Sequence, residues 1–265
     1  MKLSNGSVRG AGIGAGIVGI IMSAVIGITQ FTHVSGMPET NTLYIVVAGH
    51  GPFTENIYQT AGKQSPTWED GLKIYEGYSN RLMALELTLR LTKAGMDVIF
   101  LNNELQDMTL QERVTKINAI YEEDKRAVVI SLHHNAQQTS TADYVDFEGL
   151  QGYTSTSTGG ASGIEIFTSP GFTESDIIVN DYIFPELEKT QTLPFRYGSI
   201  TKGKEAMFTI LSQTKCPALL IEWGFMTTYT DCLIITDEGE RQTYINSLTI
   251  ALLKFNSNRY ENTIN

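Results

Sequence analysis

Three runs of aliphatic, largely β-branched residues each end on a side chain able to do chemistry. Leu43–Ala48 (LYIVVA) leads into Gly49-His50-Gly51, and Ala127–Leu132 (AVVISL) leads into His133-His134-Asn135. Ala218–Glu222 closes on its own glutamate, before Trp223 and Gly224. Short runs that are apolar at every position read as strands covered on both faces, the habit of a parallel sheet. Helical patterns separate them. One covers about Tyr75 to Ala94, with Leu82, Leu85 and Leu89 on one face and Gly95 as its stop. A capping box, Thr109-x-x-Glu112, opens a second that reaches about Glu123. Glu174 to about Phe184 reads as a third, ended or kinked by Pro185, and Gly239 to Phe255 as the last. Asp97–Leu101, Ile164–Thr168 and Ala206–Leu211 read as further strands. This alternation predicts an α/β fold, a single domain over residues 43–256 with a twisted, largely parallel central sheet flanked by helices. Residues 31–42, polar and carrying Pro38, read as a linker, and 257–265 as a frayed tail.

In an open α/β sheet, ligands gather beyond the carboxyl ends of the strands. His50, the paired histidines and Glu222 therefore converge although they are far apart in sequence, and Glu76 joins them from the start of a helix. Zinc takes nitrogen from His and oxygen from Asp or Glu, and a catalytic zinc keeps three protein ligands and one open position. His50, Glu76 and His133 supply such a set, with the metal at the C-terminal ends of the strands. The glycines beside His50 are expected to let the backbone turn sharply there. Neighbouring strand residues point to opposite faces, so only one of His133 and His134 faces the metal and the other lies at the rim or behind it. Glu222 is a carboxylate placed to take a proton from water at the metal and pass it to a leaving amine. Each residue alone also has a plain structural use, such as a carboxylate favoured in the first turn of a helix. The functional reading rests on all four together. His33, in the linker, is assigned nothing.

The formal charge of −10, from 19 basic and 29 acidic residues, sets nucleic acid aside as a partner and suits a neutral or zwitterionic polymer, or a small substrate. Cys216 and Cys232 form no CxxC pair, and both a single disulfide and two buried thiols fit the sequence. Gly10 to Thr29 carries no charge and follows Lys2 and Arg9. About 20 apolar residues suffice to cross a bilayer, and the preceding positive charge places the rest of the chain outside the cytoplasm. Residues 1–30 thus read as a membrane anchor or as a cleaved signal peptide with a small-residue site at Val34-Ser35-Gly36, a buried or virion-internal apolar segment being the third reading. Gly14, Gly16 and Gly19 match GxGxxG, but no strand precedes them. Glycines that let membrane helices pack closely are the simpler account.

Six stretches in order carry a resemblance. They are YIVVAGHG (44–51), EGYSNRLMALELTLRLTKAGMDVIFLN (76–102), LQERVTKIN (110–118), SLHHNA (131–136), GIEIF (163–167) and PALLIEWGFMT (217–227). The chain resembles, over about residues 43–255, the zinc-dependent N-acetylmuramoyl-L-alanine amidases of the amidase-3 family. The resemblance implies zinc ligands at His50, Glu76 and His133 and a catalytic glutamate at Glu222. It selects His133 over His134 because Ser131 and Asn135 fix the register. It implies peptidoglycan as substrate, cleaved between the lactyl group of N-acetylmuramic acid and the L-alanine of the stem peptide. The working place would be the cell envelope, membrane-anchored or secreted, or a phage virion-associated lysin. The chain departs from the family pattern at Val47-Ala48, where Asp-Pro is usual, which would loosen the support of His50. Trp223 stands where a small residue is common, and would fill space or stack on a sugar. Residues 51–71 and 137–163 make long loops, and Asp143, Asp146 and Glu148 make the second a candidate autoinhibitory lid. An inactive amidase-like wall-binding or structural module, and another type of zinc hydrolase, are the alternative readings.

Overall fold

In a computed structural model, residues 41–54, 57–60, 63–104, 106–137, 144–147, 150–153, 160–196 and 203–261 are described. The apolar segment 10–29, nearly all of the linker, and the acidic residues Asp143 and Glu148 lie outside them. Among the described residues no helix is long and apolar enough to cross a membrane.

The chain runs through β1 (Leu43–Ala48), the short pair β2 (Phe53–Thr54) and β3 (Ile57–Tyr58), β4 (Thr67–Trp68), helix α1 (Glu76–Lys93) and β5 (Asp97–Phe100). Helix α2 (Leu110–Glu123), β6 (Ala127–Asn135), the hairpin β7 (Tyr144–Phe147) and β8 (Leu150–Tyr153), and β9 (Ile164–Thr168) follow. A helical run then joins α3 (Thr173–Ile177), a π-helical stretch Ile178–Ile183 and α4 (Phe184–Glu188). Last come β10 (Lys204–Glu205), α5 (Thr209–Ser212), β11 (Ala218–Phe225), α6 (Tyr229–Thr236) and α7 (Glu238–Glu261).

Six strands form the central sheet in the order β10-β9-β11-β6-β1-β5. The four strands from β11 to β5 are mutually parallel, and β9 runs against β11. This is the expected α/β architecture. The sheet divides the core by alternation. Tyr44, Val46 and Ala48 of β1 pack on the side of Met83 and Leu87 from α1 and Leu248 and Leu252 from α7. Leu43, Ile45 and Val47 pack on the other, with Ile117 of α2 and Ile210 of α5. Each such fully buried aliphatic side chain stabilises the fold by about 1.5–3 kcal/mol before entropy is counted.

Several local expectations are corrected. The core face of α1 carries Met83, Ala84, Leu87 and Leu91, while Leu89 is 46% exposed. Leucines surround this helix, so periodicity alone did not choose the face. Ala206–Leu211 is not a strand: only Lys204–Glu205 pairs with β9, and α5 follows. A short apolar run without alternation has no decisive period. Pro185 does not end its helix. It sits in the first turn of α4, where a missing N–H costs nothing, just past the π-helical stretch. Helix α7 continues to Glu261, so residues 257–261 are helical rather than frayed. Asn256 Oδ1 accepts from Thr42 N at 2.7 Å, and Tyr260 Oη donates to Asn41 O at 3.1 Å. The two long loops are tied together, because β4 of the first pairs in parallel with β8 of the second.

Candidate active site

β1 ends at Ala48, and the Gly49 amide still donates to Leu132 O at 2.9 Å. His50 follows with φ 60°, the one non-glycine residue in the left-handed region among those described. The turn is therefore made by the histidine and not by its glycines. The glycines are there for want of room. A Cβ on Gly49 would meet His133 Cε1 at 2.3 Å, and one on Gly51 would meet the Asp107 side chain at 2.8 Å. Gly77, in the first turn of α1, has the same cause: its Cβ would stand 2.0 Å from Gly51 O. The first turn of α1 thus lies directly against the Gly-His-Gly turn.

That approach brings Glu76 between the two histidines. His50 Nε2 lies 3.0 Å from Glu76 Oε2, and His133 Nδ1 lies 3.2 Å from Oε1. The two imidazoles meet edge-on with centroids 5.2 Å apart. Glu76 is only 2% exposed. Its Oε1 also accepts from Asn80 Nδ2 at 3.3 Å and from the His134 amide at 3.3 Å. Burial works to raise the Glu76 carboxyl, but the hydrogen bonds from His133 and His50 outweigh it and hold the group well below the usual carboxylate range. Burial pushes His133 down, toward the neutral form that coordinates metals. One ligand atom from each of the three residues falls within 4.8 Å of the others. Two imidazole nitrogens and one ionised carboxylate are a donor set that zinc accepts, so the residues present fit a metal of that kind.

Glu222 is the backbone partner of His133 on β6 and of Glu165 on β9. The row His133, Glu222, Glu165 therefore crosses three adjacent strands on one face. Oε2 of Glu222 is buried without a hydrogen-bond partner. Burial pushes its carboxyl well above the usual range, and the charges of Glu76 and Glu165 push the same way. Glu165 is held by Asn135 Nδ2 at 2.7 Å, Arg196 Nη1 at 3.2 Å and Lys204 Nζ at 3.2 Å. Beyond Glu222 the strand bulges, with Gly224 at φ 80°. Asp231 spans the bulge, accepting from the amides of Phe225 and Gly163.

His134 is a buried pin behind the site. Nδ1 donates to Trp223 O at 2.7 Å, and Nε2 lies 2.8 Å from Ser79 Oγ. Its ring couples β6, β11 and α1 and is not a ligand of the metal cluster, to which His134 gives only its backbone amide. Trp223 fills space: it is fully buried and stacks on Tyr244 at 4.6 Å and 9°. A sugar has no face of it to meet. Asp146 lies in β7.

The site also uses residues that its sequence motifs did not suggest. Asn80, Arg81, Asn102, Arg113 and Glu165 are all buried. Asn102 grips Ala48 from both sides, accepting from its N at 2.9 Å and donating to its O at 2.7 Å. His50 therefore does not lack backing where the chain reads Val47-Ala48. The only sequence signal was their place inside the resembling stretches, since an arginine on a helix ordinarily reads as a solvated surface residue.

A mostly parallel sheet brings a His-Glu-His cluster and a part-buried glutamate to its strand ends, an arrangement suited to hydrolysis. The N-acetylmuramoyl-L-alanine amidase family profile matches residues 45–254, and the chain belongs to that family and is an enzyme of this class. Among solved structures it is similar to the CwlD amidase from Clostridioides difficile in complex with the GerS lipoprotein. The TM-score is 0.58 at 19% identity, covering 82% of this chain and 99% of that one. The catalytic domain of CwlV, an N-acetylmuramoyl-L-alanine amidase from Bacillus (Paenibacillus) polymyxa var. colistinus, gives 0.57 at 18% identity over 81% and 97%. An N-acetylmuramoyl-L-alanine amidase from Clostridium difficile 630 gives 0.59 at 19% identity over 82% and 97%. At these identities the likeness is one of fold. No curated protein matches significantly.

Proposed function

We propose that the chain is a zinc-dependent amidase that cleaves peptidoglycan between the lactyl group of N-acetylmuramic acid and the L-alanine of the stem peptide. The observation that carries this reading is the cluster of His50, Glu76 and His133 with Glu222 one strand away, its Oε2 buried without a hydrogen bond, in a chain of the amidase family. A zinc ion held by His50, Glu76 and His133 would supply Lewis acidity to the scissile carbonyl. Glu222 is the general base. It takes a proton from the water whose oxygen attacks the carbonyl carbon, and returns that proton to the amine as the carbon–nitrogen bond breaks. Its raised proton affinity suits a group that must both accept and donate near neutral pH. Glu76 serves differently: its carboxyl is held ionised and is directed at both histidines, so it acts as a ligand and not as a second acid.

Because the substrate lies outside the cytoplasm, the domain works in the envelope. The uncharged stretch 10–29 supports that placement, as an anchor or as a cleaved export signal. Mass spectrometry of digested peptidoglycan tests the assignment. Stem peptides with a free L-alanine amine should be released, the release should stop on chelation and return with zinc, and Glu222→Gln should abolish it. Products ending elsewhere, or release that ignores the chelator, would overturn it.

A further inference from the structure

We propose that Arg81 and Arg113 are positioning residues that hold His50 in the left-handed backbone conformation aiming its imidazole at Glu76. This rests on reading His50 as a ligand, and adds what keeps the ligand in place.

A β-carbon makes φ near +60° unfavourable, and a residue other than glycine stays there only where its surroundings fix it. At His50 the fixing groups are two guanidiniums. Its carbonyl oxygen accepts from Arg81 Nη1 at 2.8 Å and from Arg113 Nη2 at 3.0 Å. Arg113 Nη1 donates to Ala48 O at 2.7 Å, and its Nε to Met108 O at 2.9 Å. One planar fork therefore grips the carbonyls on either side of Gly49 and sets the turn between them. Arg81 works from α1, the helix that supplies Glu76. Its Nη1 also reaches Gly77 O at 3.2 Å, and its Nη2 reaches Asn102 O at 3.3 Å. The element that carries the carboxylate thus holds the backbone that carries the imidazole. Asp107 steadies Arg113 at 3.2 Å and accepts from Thr60 Oγ1 at 2.6 Å, and Thr60 Oγ1 accepts from Gly51 N at 2.7 Å.

The two arginines are 9% and 3% exposed. Stability alone gives little reason to bury two like charges, since apolar side chains of similar volume commonly serve as well. A fixed fork of five donors, in contrast, orients two carbonyls at once, which the single ammonium of lysine does not.

Arg113→Lys and Arg81→Lys keep the charge and remove the fork. In the metal-free proteins, the three-bond amide–Hα coupling and Cα chemical shift of His50 report its φ. The proposal expects both to move away from left-handed values. It also expects zinc affinity, read by competition with a chromophoric chelator, to fall about 10–100-fold while far-UV circular dichroism stays native. Arg81→Gln, which leaves the Arg113 grip intact, serves where a lysine variant does not fold. A purely structural role would lower Tm and leave the His50 coupling and the zinc affinity of the folded protein as in the parent, and that result overturns the proposal. If the parent itself binds no zinc, the ligand reading fails, and the His50 coupling alone then decides on the clamp.

Discussion

Glu222 and Glu76 are chemically the same group, and their surroundings drive them apart. Glu76 receives hydrogen bonds from two imidazoles, whereas Glu222 Oε2 receives none. For a base that must be ionised, a raised pKa moves the acid limb of kcat/KM above the usual carboxylate range. Glu165→Gln removes one of the charges that raise it and leaves Arg196 and Lys204 cationic nearby. The limb should then move to lower pH, measured on a soluble muropeptide; an unmoved limb would separate Glu165 from the base. The same shift bears on stability. A carboxyl with a raised folded pKa contributes stability below its unfolded pKa and loses it as pH rises through the folded value. Glu222→Gln should therefore gain Tm over the parent as pH climbs above the carboxylate range. At this scale the convergence of His50, Glu76 and His133 was legible because each side chain's type restricts its use, and the three do meet. The sequence was unreadable where burial decides. His134 is a pin because Trp223 O and Ser79 meet it, and no motif announces either contact.

Helix α1 shows how an element's ordinary preferences are overruled. Replacing a helical glycine by alanine usually stabilises by about 0.5–1 kcal/mol. At Gly77 the sign should reverse, because the added Cβ would stand 2.0 Å from Gly51 O, a backbone atom fixed by the turn. Forcing extra volume into a packed contact costs about 1–3 kcal/mol, so urea denaturation of Gly77→Ala should give a less stable protein. A more stable variant would mean that α1 can retreat from the turn. Elements of the sheet centre were legible because β1, nearly all of the first six residues of β6 and most of β11 are apolar and covered on both faces. The capping box of α2 was legible because both reciprocal bonds are local, and both form. Ala206–Leu211 was misread because Met207 and Phe208 are exposed there, a choice made by what lies nearby and not by the run itself.

For the whole molecule, the sheet is also a partition. Cys232 belongs to the core on the α1 and α7 side and Cys216 to the core on the α2 side, and both are buried thiols. The choice that the sequence left open therefore falls to two free thiols. Neither should react with a thiol reagent until the protein unfolds, and Tm should be the same with and without reductant. The partition has a second consequence, set by strand order. β11 lies in the middle of the sheet yet is the last strand among the described residues, and it carries the proposed base. A ribosome-bound chain that already owns His50, Glu76 and His133 still lacks Glu222 and the strand between β6 and β9. Long-range pairing of this kind forms late in folding. The proposed site is therefore complete only once β11 has emerged, and of the described elements α6 and α7 alone follow it.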